Sequence, residues 1–159
     1  MKASVLLVLA LSGCAAGRKA ARSEGRYDTG DPGLGWSRVP AGGADRAWYN
    51  AELGSTIYAD SNCQSRFDDR PLASLADSMA FGMVMGEPLR EEARAIDGRE
   101  GLVRVVDGRL DGVDFRLGLA VLKKDSCVYD LTLVAPPSTF DQGWEGFQAV
   151  VDGFLARSH

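Results

Sequence analysis

Residues 113–122 read Val-Asp-Phe-Arg-Leu-Gly-Leu-Ala-Val-Leu, and their period decides the fold class. In an extended chain Val113, Phe115, Leu117, Leu119 and Val121 share one face, while Asp114 and Arg116 share the other. Asp111-Gly112 stands before this run and Lys123-Lys124-Asp125 after it, and both are turn signals. Beyond the second turn, Cys127 to Val134 reads as the last strand, stopped by Pro136-Pro137. On the near side, Gly101 to Val106 (Gly-Leu-Val-Arg-Val-Val) lies between Asp97-Gly98 and Asp107-Gly108, and Leu89 to Ile96 reads as extended before that. Turns this short join antiparallel neighbours, so the second half of the chain predicts a meander of three or four strands.

Working outward, Ala47-Trp48-Tyr49-Asn50 and Ser55-Thr56-Ile57-Tyr58-Ala59 are rich in aromatic and β-branched residues, with Gly54 in the turn between them. They predict a hairpin, and Trp36 to Val39 predicts an earlier strand. Pro71 suits a helix start, and Leu72, Leu75, Ala76, Met79, Ala80 and Met83 follow at helical spacing until Pro88 forbids continuation. Ser138-Thr139-Phe140-Asp141 resembles a capping box, and Phe140, Trp144, Phe147, Val151 and Phe154 form the apolar stripe of a final helix. The fold class expected is therefore α+β, an antiparallel β-sheet covered by two helices.

This element order looks like the PsbP-like fold and like small bacterial lipoproteins of unassigned role that share it. The resemblance covers residues 36–157. It rests on Gly-Ser-Thr-Ile-Tyr-Ala-Asp at 54–60, on Asp97-Gly98-Arg99-Glu100, and on the stretch from Cys127 to Pro137. In PsbP it implies a photosystem accessory role, and a related fold binds a small GTPase. Neither family's functional residues map onto this chain, and a fold does not carry a function.

The amino terminus speaks to location. Lys2 precedes a short apolar run, Ala3 to Leu11, too short for a membrane-spanning helix of about 20 residues but suited to the h-region of a signal peptide. Leu11-Ser12-Gly13-Cys14 resembles the bacterial lipobox. That resemblance implies cleavage before Cys14 and acylation of its sulfur and new amino group; a cleaved secretory peptide with an incidental cysteine is the alternative. Two or three acyl chains, at about 0.8 kcal/mol per buried CH₂, anchor a protein to a membrane where one chain alone does so marginally. Ala15 stands where an Asp would resemble an inner-membrane retention signal, which favours the periplasmic face of the outer membrane. The expected organisation is a signal peptide at 1–13, an acylated Cys14 and flexible linker at 14–35, and one α+β domain at 36–159. Gly17, Gly25, Gly30, Pro32, Gly33 and Gly35 are the reason for reading the linker as unpacked.

With Cys14 assigned to lipid, Cys63 and Cys127 remain as an even pair in an oxidising compartment. They are read as a disulfide closing a loop of roughly 65 residues, worth about 4 kcal/mol in the chain-entropy picture. Two buried free thiols or a catalytic cysteine are the alternatives. Neither cysteine has a nearby His to lower its pKa, and no C-x-x-C occurs.

The chemistry-bearing motifs are few. The one histidine is His159, the last residue, so His-based zinc sites and Ser-His-Asp catalysis have no partner within the domain. The chain carries 18 Lys+Arg against 22 Asp+Glu, a formal net charge of -4, with the cations scattered, which disfavours a nucleic-acid binder. Asp107 to Gly118 superficially suggests a calcium loop, but Arg109 and Gly118 occupy ligand positions, so it reads as a hairpin turn. Glu91-Glu92 and Asp68-Asp69 are paired carboxylates, and on a strand adjacent side chains point apart. Asp60, Asn62, Arg66 and Arg99 fall near predicted loop ends. If the disulfide ties residue 63 to 127, Asp60 and Asn62 approach Asp125 and Tyr129 in a candidate polar binding cleft. The expectation is thus no catalytic residue, no metal and no cofactor. Two functions fit: a membrane-anchored, non-catalytic envelope module that docks an envelope protein or lipid-handling complex, or a small hydrolase working through carboxylates and polar side chains alone.

Overall fold

Three tight reversals organise the chain, each with two consecutive residues at positive φ: Asp97-Gly98 (48° and 69°), Asp111-Gly112 (51° and 82°) and Asp125-Ser126 (52° and 61°). Their backbone twist matches that of the strands they join, so each closes a hairpin without splaying it. The computed structural model, which describes residues 26–63, 69–80 and 83–157, places them between four long strands. These are β5 (Val84–Ile96), β6 (Arg99–Leu110), β7 (Val113–Lys124) and β8 (Cys127–Ala135). Before them come β1 (Tyr27–Asp28), β2 (Ser37–Val39), β3 (Arg46–Asn50), β4 (Ser55–Asn62) and the helix α1 (Leu72–Met79). After them come α2 (Phe140–Asp152) and β9 (Leu155–Ala156).

Seven strands form one sheet in the order β2-β3-β4-β8-β7-β6-β5, and every pairing within it is antiparallel. The first hairpin and the later meander therefore meet where β4 pairs with β8. The chain reaches the far edge by carrying α1 across one face of the sheet. It returns along the meander and then lays α2 across the opposite face. Parity along β7 divides the layers. Ala120 and Leu122 belong to the main core with Phe147, Val150 and Val151 of α2, whereas Val121 packs with Leu75 and Ala76 of α1. Both faces of β7 are thus buried, which is why its sequence is apolar at nearly every position from 117 to 122.

Two glycines allow close approach at the core. A Cβ on Gly118 would stand 2.5 Å from the Trp144 ring, so α2 lies directly on β7 there. Gly108 is covered by the Phe115 ring and the Met85 sulfur, and it sits inside β6 rather than in a turn, so Asp107-Gly108 continues the strand.

The segment expected to be an unpacked linker joins the folded unit from residue 26 onward. β1 pairs with β9 through Tyr27 and Ala156, and Arg157 N–H donates to the Arg26 carbonyl at 2.8 Å. Tyr27 is 4% exposed, set against Tyr129 and Phe154 with ring centroids 5.5 Å away in each case. One aromatic side chain offers enough apolar area to hold a short strap down despite the glycines around it. The signal peptide, Cys14 and residues 15–25 lie outside the described residues.

Two smaller expectations are corrected. The first helix ends at Met79 rather than Met83, and a turn closed by Met83 N–H to the Ala80 carbonyl leads into β5. The capping box at 138–141 does not form. Thr139 is the N-cap, and its hydroxyl donates to the Leu53 carbonyl at 2.8 Å, tying the helix start to the first hairpin.

Candidate functional site

Register decides which of the sequence-predicted site residues can meet. Asp60 pairs opposite Asp130, Ser61 opposite Tyr129, and Asn62 opposite Val128. Side chains alternate along a strand, so Asp60 and Asn62 emerge on the α1 face and Tyr129 on the α2 face. Tyr129 is a core residue, 2% exposed, its ring edge-on to Phe154 at 5.0 Å. Burial raises its hydroxyl pKa, and the charges of Asp125 and Asp97 push in the same direction. Asp125 sits at the exposed tip of the β7–β8 turn, in a recess it shares with Arg99, Lys123 and Lys124. The cleft proposed from Asp60, Asn62, Asp125 and Tyr129 is therefore not assembled. The disulfide that suggested it is present, joining Cys63 to Cys127, but it links the strand ends without aligning their parity.

Asp60 and Asn62 do share a small cavity of about 90 Å³ with Asp130, Ser78 and Met79, beside α1. Of the carboxylate pairs, Glu91 and Glu92 point to opposite faces as the pleat requires. Glu91 accepts from Arg104 and Glu92 from Arg90. Asp68 and Arg66 lie outside the described residues. Among the described residues, no group of three His, Cys, Asp or Glu side chains is placed to hold a metal ion.

The α1 face carries the more developed feature. The helix is only eight residues long and covers the middle of the sheet, around Val121 and Val128. Toward the β6–β7 turn the same face is left open. A groove of about 310 Å³ runs there between the end of α1 and β5, lined by Ala80, Met83, Met85, Pro88, Val106 and Leu119. The β5–β6 register shifts on either side of Pro88, and this irregularity bends the edge strand around the groove. Leu110 and Val113 pair across the hairpin on this face and are 47% and 68% exposed, so they extend the apolar strip to the hairpin tip.

Arg104 closes the inner end of the groove. Only 9% exposed, it donates to Glu91 from Nε and to Asp77 from one terminal nitrogen, both at 2.6 Å. Burial works against the guanidinium charge, but the hydrogen bonds to Asp77 and Glu91 outweigh it and hold the pKa above its ordinary value. Both carboxylates are far more exposed than the arginine, at 69% and 40%, so the rim of the groove is acidic around a buried cation. Sequence reasoning passed over Arg104 because it looked like one polar position in an alternating strand. The available signal was a lone cation in Leu-Val-Arg-Val-Val, where the neighbouring residues on both faces are apolar. A second, wider groove of about 670 Å³ lies at the other end of α1, between Leu72, Ala73, Ala93 and Leu102 with Arg99 and Lys123 at its border.

Several solved structures share this architecture. PA94 from Pseudomonas aeruginosa, a protein of unknown function, aligns at 15% identity and a TM-score of 0.56, covering 87% of this chain and 88% of that one. LpqN, involved in cell envelope biogenesis of Mycobacterium tuberculosis, aligns at 11% identity and a TM-score of 0.58, covering 89% and 88%. The cyanobacterial PsbP, CyanoP, from Synechocystis sp. PCC 6803 aligns at 13% identity and a TM-score of 0.51, covering 92% and 99%. No family model matches the chain, and no curated protein matches it. At these identities the likeness is one of fold: an antiparallel sheet with two helices, of the PsbP-like kind.

Proposed function

We propose that this protein is an exported accessory module of the bacterial cell envelope, anchored to the membrane through lipid on Cys14, which binds an envelope protein through the open part of its α1 face. One observation carries the reading. The apolar strip from Met83 and Met85 through Leu110 and Val113 is left uncovered by a helix too short to reach it. Apolar surface gathered on one face in this way is what a docking site offers, whereas single exposed apolar residues need no explanation. The acidic rim of Asp77 and Glu91 suits a partner segment that presents apolar side chains beside a cationic one.

Three further facts support the envelope setting. The Cys63–Cys127 disulfide fits an oxidising compartment. No described helix is long and apolar enough to cross a membrane, which fits attachment by lipid. One structural neighbour, LpqN, is itself involved in cell envelope biogenesis.

The test is photo-crosslinking in the native cell, with the probe placed at Leu110 or Val113 on the strip and at Glu92 on the opposite face. One protein adduct shared by the first two positions and missing from the third supports docking. Equal labelling from all three, or none from any, removes it. Mass spectrometry of the mature amino terminus tests the anchor separately: an unmodified, unprocessed terminus in the cytosol overturns the exported reading.

A further inference from the structure

The full sequence holds four methionines, and three of them, Met79, Met83 and Met85, fall in one short stretch. The fold brings these three together. Met79 is the last residue of α1, and the turn closed by Met83 N–H to the Ala80 carbonyl reverses the chain at once. β5 then begins, and Met85 follows two residues after Met83 while Val84 between them is 75% exposed. All three methionines pack against the same apolar floor of Val106, Phe115, Leu117 and Leu119. None of the three is fully buried, and Met83 and Met85 line the open groove. The Met85 sulfur lies over Gly108, which has no side chain to cover it from below.

A thioether is a soft, neutral donor that selects soft monovalent ions such as Cu(I) over Zn(II) or Mg(II). It differs from a thiolate in one respect that matters here. Cys63 and Cys127 are joined to each other and offer no thiolate, so the thioethers are the soft donors of the described domain. Neutral ligands also suit a monovalent ion in apolar surroundings, because three thioethers and Cu(I) leave a single positive charge. The carboxylates of Asp77 and Glu91 stand at the same groove to balance it.

We propose that Met79, Met83 and Met85 form a binding site for Cu(I), placed where α1 turns into β5. Binding there is simple ligation, with no bond broken and no electron transferred. The ion clips the end of the helix to the edge strand, at the inner wall of the groove.

The test uses Ag(I), a redox-inert stand-in for Cu(I), and the full chain carrying Cys14→Ser in detergent, with methionine methyl groups labelled for NMR. The methyl resonances of Met79, Met83 and Met85 are expected to shift together and to saturate at one equivalent. Met1 serves as the unresponsive internal reference, and Zn(II) is expected to leave all four in place. Each single Met→Leu change is expected to weaken Ag(I) binding at least tenfold and the triple change to abolish it. Leucine keeps the volume and the apolar character, so the variants retain the fold, checked by an unchanged circular dichroism spectrum and melting temperature. If the three resonances do not move, move at different silver excess, or bind equally well in a single Leu variant, the site does not exist.

Discussion

Gly30→Ala tests the most consequential departure of the fold from its sequence, the docking of residues 26–35. A Cβ at Gly30 would stand 1.9 Å from the Ala149 carbonyl oxygen and 2.8 Å from its carbon. These are backbone atoms in the last turn of α2, so no side-chain rotation relieves the clash. Gly30 N–H also donates to the Val150 carbonyl at 3.2 Å. The protein has two ways out. Shifting the helix end overpacks the site, at about 1–3 kcal/mol. Lifting the strap forfeits the hydrogen bond, about 0.5–1.5 kcal/mol, and uncovers the Tyr27 side chain, about 1.5–3 kcal/mol. The cheaper route sets the cost, so a loss of about 2 kcal/mol is expected, which lowers the melting temperature by roughly 4–8 °C for a domain of this size. Urea and thermal denaturation measure the loss, and hydrogen exchange at Tyr27 and Ala156 tells the two routes apart. Leu34→Ala is the matched control, since Leu34 is fully exposed in the same segment and its change is expected to stay within about 0.5 kcal/mol. If Gly30→Ala matches wild type as Leu34→Ala does, the segment is an unpacked tether and the reasoning fails.

Three other outcomes are expected. Burial opposes ionisation of Asp97, but hydrogen bonds from Lys124 Nζ and Ala156 N–H outweigh it, and the carboxyl is held below its ordinary pKa. Asp107, bonded to Arg116, is lowered likewise. A carboxyl with a depressed folded pKa stabilises fully above its unfolded value, near 4, and the contribution is lost as pH falls through the folded one. The urea midpoint should therefore decline below about pH 4, and Asp97→Asn, which keeps the positive φ of the turn, should flatten that decline; an unchanged profile counts against the assignment. Removing the disulfide by Cys63→Ser with Cys127→Ser should cost about 2–5 kcal/mol in urea denaturation, and a loss near zero would mean that the bridge constrains nothing. Arg104→Met should cost less than about 1 kcal/mol, because Asp77 and Glu91 are exposed enough to regain water. Asp77→Ala with Glu91→Ala should cost about 2–4 kcal/mol by stranding a buried guanidinium, and the reverse order in a denaturation series would refute this account.

The strands were legible because their information is local. Alternation in Val113 to Val121 and the Asp-Gly turns at 97 and 111 each involve residues that touch along the chain or across a two-residue reversal. The candidate cleft failed for a different reason. A disulfide between 63 and 127 says that two strand ends are near, but which side chains share a face depends on register to a single residue. Ser61, not Asp60, stands opposite Tyr129, and that one step sends Tyr129 into the core. Arg104 was missed because its partners, Asp77 and Glu91, come from other elements and carry no signal at any fixed spacing from it.

What the sequence determined alone is the class: strands from period two, helices from the apolar stripes, and a disulfide from two cysteines left over after Cys14. These follow from backbone geometry and the burial of apolar side chains, which act over a few residues. Tertiary structure decided how far the domain extends and where it is open. Tyr27 finds its cover on β8 and in Phe154 near the far end of the chain, and α1 stops one turn short of the groove it borders. Both depend on contacts between residues distant in sequence, where packing outranks the glycine content and helical spacing that a local reading weighs.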